Sequence, residues 1–150
     1  KNRYIGRSFI FPTQEQREKA VKLKLNPLAS NLKDKRVILI DDSIVRGTTS
    51  AKIIKNVRRA GAKEVHMLVS SPMFKHTCNF GTDIDSEENL IANKMELEEI
   101  RKSIGADSLG FISIEGLKKA CGKCCRDFCT GCFDGNYPLI IENYSKSQFE

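Results

Sequence analysis

Val37-Ile38-Leu39-Ile40-Asp41-Asp42-Ser43-Ile44-Val45-Arg46-Gly47-Thr48-Thr49 is the stretch that decides the fold. Four apolar, mostly β-branched residues end abruptly in two carboxylates, and a short hydroxyl-rich loop with one arginine and one glycine leads into a helical pattern. A parallel strand buried on both faces has this composition when its carboxyl end opens onto a ligand. Adjacent aspartates can grip vicinal hydroxyls or a divalent cation. The loop offers backbone N–H groups and threonine hydroxyls to an anion at a helix N-terminus, where the macrodipole also favours negative charge. Together these features point to a phosphorylated sugar. A strand followed by a polar turn that merely carries acids is the bland reading of the same letters.

Around this stretch the pattern alternates between strand and helix. Residues 4–11 alternate as a strand stopped by Pro12, and Thr13 with Gln16 forms a capping-box pattern ahead of a basic helix, about Gln14 to Leu25, ended by Asn26-Pro27. Residues 36–40 form the central strand. A helix over 48–60 presents Ala51, Ile54 and Val57 on one face and closes at Gly61. Glu64 to Ser70 is the next strand, so 36–70 is a βαβ unit with parallel neighbours. Residues 72–86 read as an irregular loop, Met95 to Ile104 as a helix stopped by Gly105, Leu109 to Ile112 as a strand, and Ser113 as the cap of a short helix through Ala120. The expectation is an α/β fold with a Cys-rich C-terminal metal-binding loop.

The chain has 150 residues, 40% hydrophobic and 29% charged, so it can bury a real core. No run approaches the about 20 apolar residues of a membrane span, and no secretory leader pattern opens the chain, so a cytoplasmic location is expected. The net charge of +6 is concentrated in 17–36, much of it on the predicted basic helix. No aromatic platform or recognisable motif accompanies it, which argues against nucleic acid and for a solvated helix face. Five of the six cysteines crowd into Cys121, Cys124, Cys125, Cys129 and Cys132, with Cys78 apart. In a cytosolic setting that crowding suggests metal or redox chemistry rather than disulfides. Cys121, Cys124, Cys129 and Cys132 could close a Zn²⁺ site; an iron–sulfur centre and free thiols are the other readings. His66, inside an apolar strand, reads as a packed or edge residue, and His76 as a loop residue near Cys78.

The 37–49 stretch resembles the phosphoribosyl pyrophosphate (PRPP) signature of type I phosphoribosyltransferases. The resemblance implies that Asp41 and Asp42 hold the ribose hydroxyls, directly or with Mg²⁺. It further implies that Ser43, Ile44, Val45, Arg46, Gly47, Thr48 and Thr49 wrap the 5′-phosphate, Arg46 contributing through its backbone. Other segments resemble amidophosphoribosyltransferases in order along nearly the whole chain. These are Lys1 to Phe11 with Gln16, Arg17 and Lys24-Leu25-Asn26; Ser71-Pro72-Met73 with Cys78, Gly81 and Asp83; Leu90-Ile91-Ala92; Ile104 to Gly110; and Cys129-x-x-Cys132-Phe133-x-Gly135-x-Tyr137-Pro138.

That resemblance implies a partial transferase domain (1–120) with a Cys-rich segment (121–150) packed on it, and a separate glutaminase domain outside this chain. The implied reaction joins glutamine-derived ammonia to PRPP, giving 5-phosphoribosylamine and pyrophosphate, the committed step of purine synthesis. Arg3 and Arg7 would clamp PRPP, with Tyr4 packed over the site to exclude water. Cys78, Cys129 and Cys132 would hold a 4Fe–4S cluster with a fourth ligand upstream of Lys1. Purine nucleotides would inhibit, the assembly would be a homotetramer, and these residues alone would be inactive. Two other classes fit the sequence: a PRPP- or nucleotide-sensing regulator, and a zinc or iron–sulfur interaction module on a non-catalytic phosphoribosyltransferase fold.

Overall fold

The computed structural model describes residues 27–78, 80–82, 84, 86–122 and 128–139. The expected strand at 4–11 and basic helix at 14–25 lie outside the described residues, as do Arg3, Tyr4, Arg7, Asp83, Cys124 and Cys125. Strands β1 (Arg36–Asp41), β2 (Glu64–Val69) and β3 (Ser108–Phe111) form one sheet in that order, with both pairings parallel. The helices are α1 (Ala29–Leu32), α2 (Thr48–Arg59), α3 (Leu97–Ile104), α4 (Ile114–Cys121) and α5 (Gly131–Asp134), with 3-10 turns at Glu87–Asn89 and Ile91–Asn93. No helix among the described residues is long and apolar enough to cross a membrane.

Each element starts and stops for a local reason. Helix α2 buries Ile54 and Val57, its predicted apolar face, and ends in Arg58 and Arg59, whose charge suits the carboxyl end of the helix dipole. Helix α3 starts two residues after Met95 because Glu96 and Glu99 make a capping box, Glu96 standing just outside the helix. It stops at Gly105, whose φ of 77° is the left-handed conformation that glycine adopts without a Cβ penalty. Ser113 Oγ accepts from Gly116 N at 3.0 Å, the cap predicted for α4.

The sheet differs from expectation in one respect. Among the described residues β1 lies at an edge, with β2 in the middle. The register aligns Val37 with Val65, and Leu39 with Met67 and Leu109, on the face covered by α2 and α3. On the opposite face Ile38 is 62% and Ile40 75% exposed, and Leu68 is also open. The unbroken apolar run predicted cover on both faces; the described residues cover one.

Two apolar clusters result. The larger joins the covered sheet face to α2, α3 and the Ile91 turn, with Ile54, Met67 and Ile100 almost fully enclosed. The smaller collects Phe74, Cys78, Ile84, Leu90 and Cys132, with Val45 and Phe133 against it.

Asp107 closes the base of the larger cluster. Its carboxylate accepts from Val65 N at 2.6 Å and from the Arg58 guanidinium at 2.8 Å, while its own amide donates to Val65 O. Arg58 also donates to Gly105 O, an orphan carbonyl at the end of α3. The Val65 amide, then the Arg58 charge, hold the Asp107 carboxyl below the usual aspartate range. A depressed folded-state pKa stabilises above the unfolded value and is lost as pH falls through the folded one. Asp107→Asn is therefore expected to lower Tm at neutral pH by about 3 °C, the group being partly solvent-screened. The gap should close as pH drops below about 4. Thermal melts across pH 2 to 7 check this, and a gap constant with pH would contradict the assignment.

Candidate functional site

Because β1 and β2 are parallel, their carboxyl ends open on the same edge, where the loops gather. Asp41 is the last residue of β1, and its carbonyl accepts from Ser70 N at 3.0 Å and Ser70 Oγ at 3.2 Å. Beyond it each carboxylate receives the next amide: Asp42 N donates to Asp41 Oδ1 at 3.1 Å and Ser43 N to Asp42 Oδ1 at 2.9 Å. Asp42 is exposed, whereas Asp41 is half-buried. Burial first, and then the neighbouring Asp42, push the Asp41 carboxyl above its ordinary value. Such a pair gains most from sugar hydroxyls that donate to it, or from a divalent cation. Two adjacent carboxylates are a donor set that Mg²⁺ can use, since it keeps waters and takes substrate phosphates for the rest of its shell.

The loop after the pair is fastened from below. Ile44 is 3% exposed and sits in the larger cluster; Val45 leans on the smaller one. Val45 O accepts from Ile91 N at 2.9 Å. Gly47 has φ of 76°, which disfavours any side chain, and a Cβ there would lie 2.7 Å from Ile91 Cδ1, so that methyl would have to move aside. Gly47 is also the N-cap of α2, which makes no side-chain cap bond and has no acid in its first turn. The first-turn amides are thus capped neither by the N-cap residue nor by an acid of the helix itself, and suit an anion. Thr48 and Thr49 are exposed beside them, and Ser50 is buried. Arg46, Gly47, Thr48, Asn89, Lys94 and Met95 line part of an adjoining cavity of about 400 Å³.

The structure brings two of the predicted cysteines into one cluster. Cys78, after β2, and Cys132, on α5, are both buried, and Cys129 is exposed next to α5. Lys75 N and His76 N both donate to Cys132 O, at 3.0 and 3.1 Å. Tyr137 donates its hydroxyl to Thr77 O, and Phe133 stacks at a tilt on Phe74, 4.9 Å between centroids. Backbone amides aim at sulfur: Phe80 N and Thr82 N reach Cys78 Sγ, and Gly131 N reaches Cys129 Sγ, each at 3.4 Å.

Burial alone would raise the Cys78 thiol, but the amides of Phe80, Thr82 and Gly81 outweigh it and bring the thiol below its usual value. Cys132 goes the other way, to about 11, through burial and the neighbouring Cys78. Thiols that repel one another's ionisation, with amides directed at sulfur, are a donor set that a polynuclear cation would neutralise. Among the described residues no group of three or more His, Cys, Asp or Glu side chains is arranged for a metal ion. Cys121 is exposed at the end of α4, outside the buried group.

The two histidines are structural partners. His66 contacts Ser108 Oγ at 2.8 Å and Glu64 at 3.1 Å, at the edge of the exposed sheet face. His76 meets Glu87 at 3.1 Å and its ring lies against Gly135. The fastening of Val45 and Gly47 by Ile91 had no part in the sequence reading of function. Its signal was present in Leu90-Ile91, two large apolar residues in a polar stretch.

No family model matches the chain. Over 141 residues it is 54% identical to the amidophosphoribosyltransferase of Methanothermobacter thermautotrophicus, covering 94% of this chain and 30% of that protein. The glutamine PRPP amidotransferase structure from B. subtilis, complexed with ADP and GMP, matches with a TM-score of 0.77 at 48% identity. That match covers 95% of this chain and 32% of the other. A structure described as the allosteric regulatory enzyme of purine biosynthesis gives 0.79 at 47% identity, covering 97% and 32%. The chain is thus a homologue of a segment of amidophosphoribosyltransferases and spans about three-tenths of their length. Its three-stranded parallel sheet and helices match part of the known amidotransferase fold.

The contact at Gly47 yields a test. Gly47→Ala is expected to cost about 2 kcal/mol in urea unfolding, from the left-handed backbone and the clash. Ile91→Val, which removes Cδ1, should return part of that loss when combined with it. Strict additivity of the two changes would mean that the contact does not matter.

Proposed function

We propose that this chain is the PRPP-binding part of an amidophosphoribosyltransferase, acting in the first step of purine synthesis. The observation that carries the proposal is the Asp41-Asp42 pair at the open end of a parallel strand, one glycine-turned loop before the bare N-terminus of α2. Asp41 and Asp42 accept hydrogen bonds from the 2′- and 3′-hydroxyls of the ribose. The backbone of Ser43 to Gly47, with the hydroxyls of Thr48 and Thr49, surrounds the 5′-phosphate. Sugar and phosphate held at two ends leave C1 fixed, and fixing the reacting carbon supplies much of the rate.

At C1 the bond to the pyrophosphate oxygen breaks as ammonia's lone pair forms the C–N bond; a proton then leaves the new ammonium group. Mg²⁺, when bound near Asp41 and Asp42, would balance charge gathering on the departing pyrophosphate. Arg3 and Arg7 are proposed to clamp the same pyrophosphate, with Tyr4 excluding water. Ammonia comes from glutamine, cleaved by a glutaminase domain outside residues 1–150.

Residues 1–120 are proposed as the transferase portion and 121–150 as a Cys-rich segment resting on it. Cys78, Cys129 and Cys132, with a fourth ligand upstream, would hold a 4Fe–4S cluster in a structural role. The amides directed at Cys78 and Cys129 support thiolate ligands at those two positions, which a cluster or a zinc ion would each accept. Purine nucleotides are proposed as feedback inhibitors, since the B. subtilis relative was solved with ADP and GMP. The complete enzyme is proposed to be a cytoplasmic homotetramer that engages neither membrane nor nucleic acid.

The test is ammonia-dependent release of pyrophosphate from PRPP by the complete protein. Asp41→Asn and Asp42→Asn should each reduce it at least about 100-fold, the scale of losing charged contacts to a transition state. Unchanged turnover in both would remove the ribose role. Iron and acid-labile sulfide should fall together in Cys129→Ser, whereas stoichiometric zinc in a colourless protein would replace the cluster.

A further inference from the structure

Adjacent residues of the phosphate loop enter different clusters, Ile44 the larger and Val45 the smaller. The turn below it does the same in mirror fashion: Leu90 is fully enclosed in the smaller cluster and Ile91 is buried in the larger. The two straddling pairs meet directly. Ile91 N donates to Val45 O at 2.9 Å, and Ile91 Cδ1 occupies the space that Gly47 leaves free. Two residues on, Asn93 secures the turn from the other side. Its side-chain amide donates to Lys75 O at 2.8 Å and Glu87 O at 3.2 Å, which uses both of its hydrogens on backbone carbonyls. Lys75 N in turn donates to Cys132 O. A continuous series of contacts therefore runs from the cysteine cluster through Lys75, Asn93 and Ile91 to Val45 and Gly47.

We propose that Ile91 and Asn93 are positioning residues for the phosphate loop: they hold its backbone in the shape that receives the 5′-phosphate, without contributing a group to the ligand. This rests on the PRPP reading above. Ile91 has no polar side-chain atom, and Asn93 has its donors engaged elsewhere, so neither can act by binding. What they fix is the Val45 carbonyl and the height of Gly47, and so the direction of the amides that follow. A loop of this kind, left to itself, would sample several conformations and bind its anion only from one; removing the brace taxes affinity by the fraction lost. Chemistry at C1, once PRPP is seated, should proceed as before.

The experiment is steady-state kinetics of the complete protein with PRPP and ammonia, using Ile91→Val, Asn93→Ala and Asn93→Asp. The expected result is a rise of about fivefold in the KM for PRPP in the Asn93 variants, the scale of one neutral hydrogen bond, and a rise of about twofold in Ile91→Val, which keeps its backbone bond to Val45 and loses only the Cδ1 contact. The kcat should stay within about twofold and the KM for ammonia should not move. A lowered Tm with unchanged KM for PRPP in all three would overturn the proposal, because that is the signature of a merely structural role. Asp42→Asn in the same assay separates the two readings. If it loses PRPP while the Ile91 and Asn93 variants do not, the brace fails and the site stands; if wild type shows no PRPP-dependent turnover, both fall. Hydrogen exchange on the wild-type protein covers the case of variants that do not fold. Saturating PRPP should protect the amides of Val45 to Gly47 and Ile91 together, and protection confined to the loop would count against the brace.

Discussion

The parallel register of β1 on β2 is the constraint from which the site follows. Parallel strands cannot be joined by a tight turn, so the chain must leave β1, cross over as α2 and return. That crossover puts the end of β1, the start of α2 and the end of β2 on one edge. Asp41, the amides after Gly47 and Ser70 become neighbours although 29 residues separate the first from the last. Reversing either strand would scatter these groups to opposite ends of the sheet.

Two clusters, rather than one, share the work of holding that edge. The larger is an ordinary sheet-and-helix interior. The smaller is built from loops, with aromatic and sulfur side chains in place of a regular element, and the chain passes between the two at Ile44-Val45 and at Leu90-Ile91. Loops over an active edge are usually the least restrained part of an α/β fold. Here each important loop is pinned twice by consecutive side chains, which needs no added secondary structure.

Periodicity made most of the fold readable. Ile54 and Val57 on one face of α2, Gly105 after α3 and Ser113 before α4 are local signals, and local physics obeyed them; the capping box of Glu96 and Glu99, which moves the start of α3 from Met95 to Leu97, is as local and went unread. The edge position of β1 among the described residues was not readable, because an apolar strand looks alike whether its second face is covered by this segment or by another. The candidate site divides in the same way. Asp41, Asp42 and Gly47 announce themselves by chemistry and by the turn they require. Ile91 and Asn93 act through contacts 46 and 18 residues distant in sequence, Ile91 with Val45 and Asn93 with Lys75, and such pairings leave no periodic trace.

Ile38, Ile40 and Leu68 lie on the side of the sheet that the described residues leave open, on neighbouring strands and in register. Each would gain about 1 kcal/mol by covering the surface it still exposes. An apolar strip of this kind, left uncovered on a nascent polypeptide, invites chaperone binding and, at high concentration, precipitation.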